Sequence, residues 1–215
     1  MHKSAMDFGA AFFDCYWQPD FKRVLYVGSQ DINGSLRTVT PEGATFVGVD
    51  MAAGKGVDVV LADPYTYPYP DGHFDAVIST SCWEHDPMFW LTFLEGLRVL
   101  SPRGFMYVNA PSSGRYHGFP LDFWRFFPDA GVALEMWGRR MSQPVKLIES
   151  FTFINPVKRA FNDCVMVFTK DRTFVPERYI QDGHAAVFNG RKGAVMPLEA
   201  NRDTLLNPKR DLHGP

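Results

Sequence analysis

With 215 residues, of which 46% are hydrophobic, 21% charged and 15% aromatic, the chain is long and apolar enough to bury one sizeable core, with or without an appended tail. A formal charge of −2 provides no basic field for gripping phosphate backbones, which disfavours nucleic acid as a partner. Cys15, Cys82 and Cys164 are odd in number and lack metal-ligand pairing, the N-terminus lacks the pattern of a signal peptide, and no window approaches ~18 apolar residues; these features predict a soluble cytoplasmic protein with no membrane segment.

Residues 4–17 mix Phe8, Ala10, Ala11, Phe12, Phe13, Tyr16 and Trp17 with few charges, so residues 1–20 are expected to form a cap helix that covers a cleft or closes the core. Strands are expected at 23–28, 44–50, 57–62, 74–80 and 103–109, each apolar or β-branched and bounded by Gly, Pro or Asp. A helix over roughly 87–100 joins the last two. After a loop at 111–120, residues 122 to about 140 are predicted helical with a break near Pro128. Strands at 145–154 and 163–170 lie close enough in sequence to pair antiparallel. This alternation predicts an α/β domain over residues 1–170: a doubly wound, Rossmann-like sheet of seven strands, mostly parallel with an antiparallel final strand. Residues 171–215 lose periodicity and gain Pro and Gly, so they are expected to form an irregular arm. The arm keeps Phe174, Tyr179, Ile180, Val187, Val195, Met196 and Leu198, too many apolar groups for a solvated tail, and is expected to pack on its own domain or on a partner subunit in a homodimer.

The chemistry gathers at the ends of the expected strands. Val24-Leu25-Tyr26-Val27-Gly28 feeds a glycine turn, where backbone N–H groups can approach a ligand closely. Asp50 closes the next strand. Further on come the turn Pro68-Tyr69-Pro70-Asp71, the strand Phe74–Thr80, a helix ending Leu97-Arg98-Val99-Leu100, and Ser101-Pro102-Arg103-Gly104. Taken together, these segments resemble a class I S-adenosylmethionine-dependent methyltransferase of the small methyltransferase-domain type.

That resemblance implies S-adenosyl-L-methionine as cofactor. Gly28 and Ser29 fall in the turn beside it, and Asp50 would accept both ribose hydroxyls or, alternatively, cap a turn. Met51 would pad the adenine face or fill the core. Ala62 would bring its backbone to the ring, while Asp63 would reach the adenine amino group or merely open the Asp63-Pro64 loop. Ser81 and Cys82 fall nearest the methionine end. The family's acid is replaced here by Tyr26 and its second glycine by Gln30.

Glu84-His85 matches a Glu-His pair common at this place in relatives; His85 is a candidate general base, or caps the following helix. The Tyr116-His117 loop and the following Asp122-Phe123-Trp124-Arg125-Phe126 resemble a subgroup associated with glycan or secondary-metabolite assembly. There His117 is the better base candidate, and Tyr116, Asp122, Trp124 and Arg125 are candidate acceptor contacts. The implied reaction is methyl transfer to a small molecule or saccharide, at oxygen. A non-catalytic binding or scaffold subunit is the alternative, motivated by Tyr26 and Gln30; a nicotinamide enzyme has the wrong glycine spacing. Methyl transfer requires no metal, and His2, His73, His85, His117, His184 and His213 form no ligand-spaced cluster in the sequence, so no metal is expected.

Overall fold

The structure, a computed structural model, describes residues 3–157, 160–184 and 186–193. Helix α1 (Lys3–Tyr16) precedes strands β1 (Arg23–Val27), β2 (Thr45–Asp50), β3 (Val59–Val60) and β4 (Phe74–Thr80). Helix α2 (Phe89–Val99), strand β5 (Leu100–Pro111), helix α3 (Asp129–Arg140) and strands β6 (Lys146–Phe153), β7 (Asp163–Thr169) and β8 (Val187–Lys192) follow. The strands form one sheet in the order β3-β2-β1-β4-β5-β7-β6-β8. The first five neighbours are parallel, and β7 runs antiparallel to both β5 and β6, as the doubly wound expectation requires.

Strand alternation sorts the apolar side chains into two layers. Val24, Tyr26, Ala76, Ile78, Phe105, Tyr107, Val165 and Val167 face one side. Leu25, Val27, Val77, Met106, Val108, Met166 and Phe168 face the other. The first layer is sealed by α1, whose Phe8, Phe12 and Tyr16 recur at four-residue spacing. Their rings meet Phe151, Tyr107 and Phe105 at 5.3, 5.0 and 5.4 Å. The opposite layer is sealed by α2 through Phe93 and Leu97 and by α3 through Val132 and Leu134. Each such side chain contributes roughly 1.5–3 kcal/mol by leaving water.

The connections carry the site. Between β1 and β2 the described chain has a single 3-10 turn, Leu36–Val39, capped by Ser35. Arg98 holds the Pro68–Asp71 turn from below, donating to the Tyr67 and Tyr69 carbonyls and to Asp71 and Glu95.

Three expectations are corrected. The sheet has eight strands, because Val187–Lys192 pairs antiparallel with β6. Residues 122–127 take no helical form: Phe123 and Trp124 donate their N–H groups to the Glu84 carbonyl and Phe126 donates to Pro111, so helix begins only at Asp129, after the Pro128 turn. The third strand shrinks to two residues; beside it the Asp58 carboxylate is bonded to Gly48 N and Arg37. Of the expected arm, residues 171–184 and 186–193 lie on their own sheet, with Phe174 against Phe105 and Ile180 in the core. Val195, Met196, Leu198 and the remainder of the arm lie outside the described residues.

Candidate functional site

Two adjoining cavities open at the carboxyl ends of β1, β2 and β4, where parallel sheets of this winding bind ligands. The first, about 270 Å³, is walled by Gly28, Asp50, Met51, Leu61, Tyr65 and Cys82. The second, about 290 Å³, is walled by Glu84, His85, His117, Phe119, Phe161 and Asp163. Gly28, Gln30, Ser81, His85 and Phe119 border both.

The partition between them is built from strand ends. Gly28 has φ +72°, and a Cβ there would stand 2.4 Å from Cys82 Sγ, so glycine is required by conformation and by the close approach alike. Gly28 and Ser29 both donate to the Val49 carbonyl, which binds the turn to the end of β2. Ser29 is buried against Gly48 beneath this turn, and its Oγ has no hydrogen-bond partner among the described residues. Ser81 has φ +50°, a left-handed conformation that costs a non-glycine residue roughly 1–3 kcal/mol, and such strain collects at ligand sites.

Asp50 Oδ2 accepts Gln30 N at 3.1 Å, and Oδ1 accepts Met51 N at 2.8 Å and Ala52 N at 3.4 Å. Oδ2 retains a lone pair, whereas Oδ1 is occupied by its two backbone donors. Asp63 sits differently: it is exposed, and its oxygens accept Tyr65 N and Thr66 Oγ1 within its own turn, bonds that hold its carboxyl below the ordinary range. The turn presents Pro64 and Tyr65 to the cavity, whereas Ala62 is exposed. Tyr65 Oη then donates to Asp86.

In the second cavity Glu84, 1% exposed, stands with Oε1 3.7 Å from His85 Nε2 and 3.8 Å from His117 Nε2. Its Oε2 has no hydrogen-bond partner among the described residues. Burial pushes the Glu84 carboxyl up to about 8 and the His85 ring down, each toward its neutral form. His85 Nδ1 donates to the Leu121 carbonyl, which fixes its tautomer and leaves a lone pair on Nε2. The His85 and His117 rings meet edge to face at 4.9 Å. His85 and His117, which have no ligand spacing in the sequence, are thus neighbours in space with Glu84 between their ring nitrogens.

The remaining predicted contacts separate. Asp122 and Arg125 form a two-pronged ion pair, and Asp122 also accepts His117 N at 2.8 Å. The Arg125 guanidinium holds the Asp122 carboxyl well below the usual range. Both are committed to holding the His117 loop, which Arg125 also ties down through the Arg115 carbonyl. Trp124 packs against Phe89 and Trp90 and donates to the Asp86 carbonyl, beside α2. Tyr116 is exposed, its hydroxyl near Gly118.

Sequence reasoning passed over Asp163, a carboxylate opening an otherwise apolar strand; that polarity was the available signal. It is buried in the cavity wall, accepts Ser4 Oγ at 2.5 Å, and burial raises its carboxyl to about 6. Since the folded state holds this proton more tightly than the unfolded chain, the group's contribution is fully present below about pH 4 and lost as pH rises through about 6. Asp163→Asn removes the ionisation while keeping an acceptor for Ser4. In urea titrations the variant is expected to gain about 2–3 kcal/mol relative to the parent between pH 4 and pH 7. A constant difference across that range would contradict the assignment.

Comparison with known proteins places this geometry. Residues 30–108 match the family model described as "Methyltransferase domain". A fatty-acid O-methyltransferase of Mycolicibacterium smegmatis is 34% identical over 104 residues, 41% of this chain and 37% of the relative. The chain thus spans little more than a third of that curated protein. The crystal structure of Burkholderia thailandensis 1,6-didemethyltoxoflavin-N1-methyltransferase, with S-adenosylhomocysteine bound, superposes with a TM-score of 0.58 at 16% identity, over 77% of this chain and 78% of that one. The [4+2]-cyclase SpnF gives 0.53 at 14% identity, over 76% and 80%. Likeness at such identities concerns the fold alone. By its strand order and these superpositions, the chain has the Rossmann-like methyltransferase fold, and its residues 30–108 are similar to the methyltransferase domain.

Proposed function

We propose that the protein is an S-adenosyl-L-methionine-dependent methyltransferase acting at oxygen on a small molecule or saccharide. The observation that carries this reading is the pair of adjoining cavities, one bordered by the Asp50 carboxylate and the other by the Glu84–His85–His117 cluster, with Gly28 and Ser81 between them. The first cavity suits a nucleoside: Asp50 offers acceptor capacity for ribose hydroxyls, and Val49, Met51 and Leu61 offer apolar walls for a base. The two spaces together fall within the roughly 300–1,000 Å³ of small-ligand sites.

When bound, S-adenosylmethionine supplies an activated methyl group. The chain's own part is to hold the acceptor in line, to shield the site with Phe119 and Phe161, and to receive the hydroxyl proton. His117 is assigned that proton, with His85 beside it. Mixed polar and aromatic walls suit a saccharide or similar acceptor, whereas purely apolar ones would not. Cys15, Cys82 and Cys164 are unpaired, in keeping with a reducing cytoplasm, and no helix among the described residues is long and apolar enough to cross a membrane.

The test is calorimetric titration with S-adenosylmethionine and S-adenosylhomocysteine, with NAD as control. Micromolar binding is expected for the adenosyl ligands, and Asp50→Ala is expected to weaken it by about 1–3 kcal/mol through unpaired ribose hydroxyls. Wild-type affinity in the variant would remove the ribose assignment. The second reading, a non-catalytic scaffold, draws on Gln30, whose side chain crowds Gly54 where the family has a second glycine. It predicts no adenosyl binding at all.

A further inference from the structure

We propose that Glu84, His85 and His117 form a binding site for a divalent first-row transition-metal ion, open toward the second cavity. One donor atom from each residue lies within 4.8 Å of the other two. The cluster is thus a two-histidine, one-carboxylate set, which suits ions such as Zn²⁺ and Fe²⁺ and leaves coordination positions for an exogenous ligand.

The outer partners point the same way. A ligating histidine characteristically donates its other ring N–H to a carbonyl or carboxylate, which fixes the tautomer and aims the lone pair. His85 does so through Nδ1 to the Leu121 carbonyl. His117 Nδ1 lies 3.3 Å from Asp122 Oδ2, outside hydrogen-bond geometry but within reach of a small ring rotation. Asp122 is itself immobilised by Arg125. Both Nε2 atoms therefore face Glu84 Oε1.

Glu84 supplies an independent observation. A carboxyl group 1% exposed, with Oε2 unpartnered among the described residues, is costly to bury in either protonation state unless something compensates it. The neighbouring guanidinium of Arg125 attracts this carboxyl but bonds to Asp122 and makes no hydrogen bond to Glu84 among the described residues. A dication between Glu84 and the two histidines resolves the deficit. Metal–donor bonds of about 2.0–2.2 Å require donors roughly 3–3.5 Å apart, so the Glu84–histidine pairs would close by up to about 0.8 Å and the widest pair by up to about 1.8 Å. The loop placement of His117 permits that movement.

The identity of the ligand at the open positions, the acceptor's oxygen, rests on the methyltransferase reading above; metal binding itself does not. With the ion in place, the His117 Nε2 lone pair is engaged and polarisation of that oxygen falls to the metal.

The experiment strips the full chain with a chelator, then titrates it with Zn²⁺ calorimetrically and with Co²⁺ by visible absorption. His117→Gln, Glu84→Gln and a control, His184→Gln, are treated alike, with circular dichroism as the fold check. The expected result is one ion per chain at micromolar or tighter affinity, weakened at least about 100-fold by His117→Gln and Glu84→Gln and unchanged by the control. Should Glu84→Gln unfold, the partly exposed His117 still decides the matter. Absence of stoichiometric binding, or equal affinity in His117→Gln, overturns the proposal. Titrating S-adenosylhomocysteine into the same samples separates the readings: metal binding without nucleoside binding leaves the metal site standing and removes the methyltransferase assignment, and the reverse removes only the metal.

Discussion

His117→Ala is expected to lower turnover by about 10²–10⁴-fold, the range for losing the group that activates the acceptor, whether the free ring takes its proton or the ring holds an ion that polarises its oxygen, with S-adenosylhomocysteine affinity held within about twofold. The separation follows from position. His117 borders the second cavity alone, whereas Asp50, Met51 and Leu61 border the first alone. The loop should survive the change, because Arg125 and Asp122 hold it through the Arg115 carbonyl and the backbone N–H of residue 117, neither of which the substitution touches. His85→Ala is a less clean probe, since it also removes the bond to the Leu121 carbonyl. The measurement is initial rates on the first saccharide or small acceptor turned over in a screen, paired with calorimetry. Unchanged turnover removes His117 from acceptor activation; a parallel loss of nucleoside affinity assigns it to holding the partition instead.

What the sequence disclosed about this site was what local chain chemistry determines. Gly28 and Asp50 stand where apolar runs stop, and the structure brings them to adjacent strand ends because a parallel sheet must. Arg98 and the Pro68–Asp71 turn were legible for a similar reason: the proline-rich turn and the helix end beside it each have their own local signature. Asp63 shows the limit. An Asp-Pro pair reads as a ligand contact or, alternatively, as a turn opener, and its bonds to Tyr65 and Thr66, which engage both oxygens within the turn, are not announced by the sequence. The Glu84–His85–His117 cluster was hidden because it is built around residues 122–127 staying out of the helix. That in turn depends on the Glu84 carbonyl accepting from Phe123 and Trp124, a tertiary bond that no periodicity announces. Strand β8 was hidden too: Asn189, at φ +50°, and Gly190 interrupt alternation, and its conformation is supported by β6 rather than by its own sequence.

Glu149→Gln is expected to destabilise the fold by about 2–4 kcal/mol despite being isosteric, and to release the segment around 179–192 first. Glu149 is 0% exposed and accepts four donors. Tyr16 Oη and Ile180 N reach one oxygen; Gln181 N and Gln181 Nε2 reach the other. The single carboxylate thereby ties α1, β6 and the chain leading into β8. Burial pushes this carboxyl up while the four donors pull it back, and a site furnished only with donors calls for the ionised form. Glutamine offers one oxygen and one NH2 group. The Tyr16 hydroxyl can rotate to accept from that group, but a backbone N–H cannot reverse, so in either orientation Ile180 N or Gln181 N faces another donor across a dry interface. Alanine leaves all four donors unpaired and opens a cavity as well, so Glu149→Ala should cost more still. Urea unfolding gives the magnitude, and hydrogen exchange should show early loss of protection at residues 180–181 and 187–192 while β4 and β5 remain protected. A neutral Glu149→Gln would mean that the native carboxyl carries a proton, because a protonated glutamate already presents the donor that glutamine introduces.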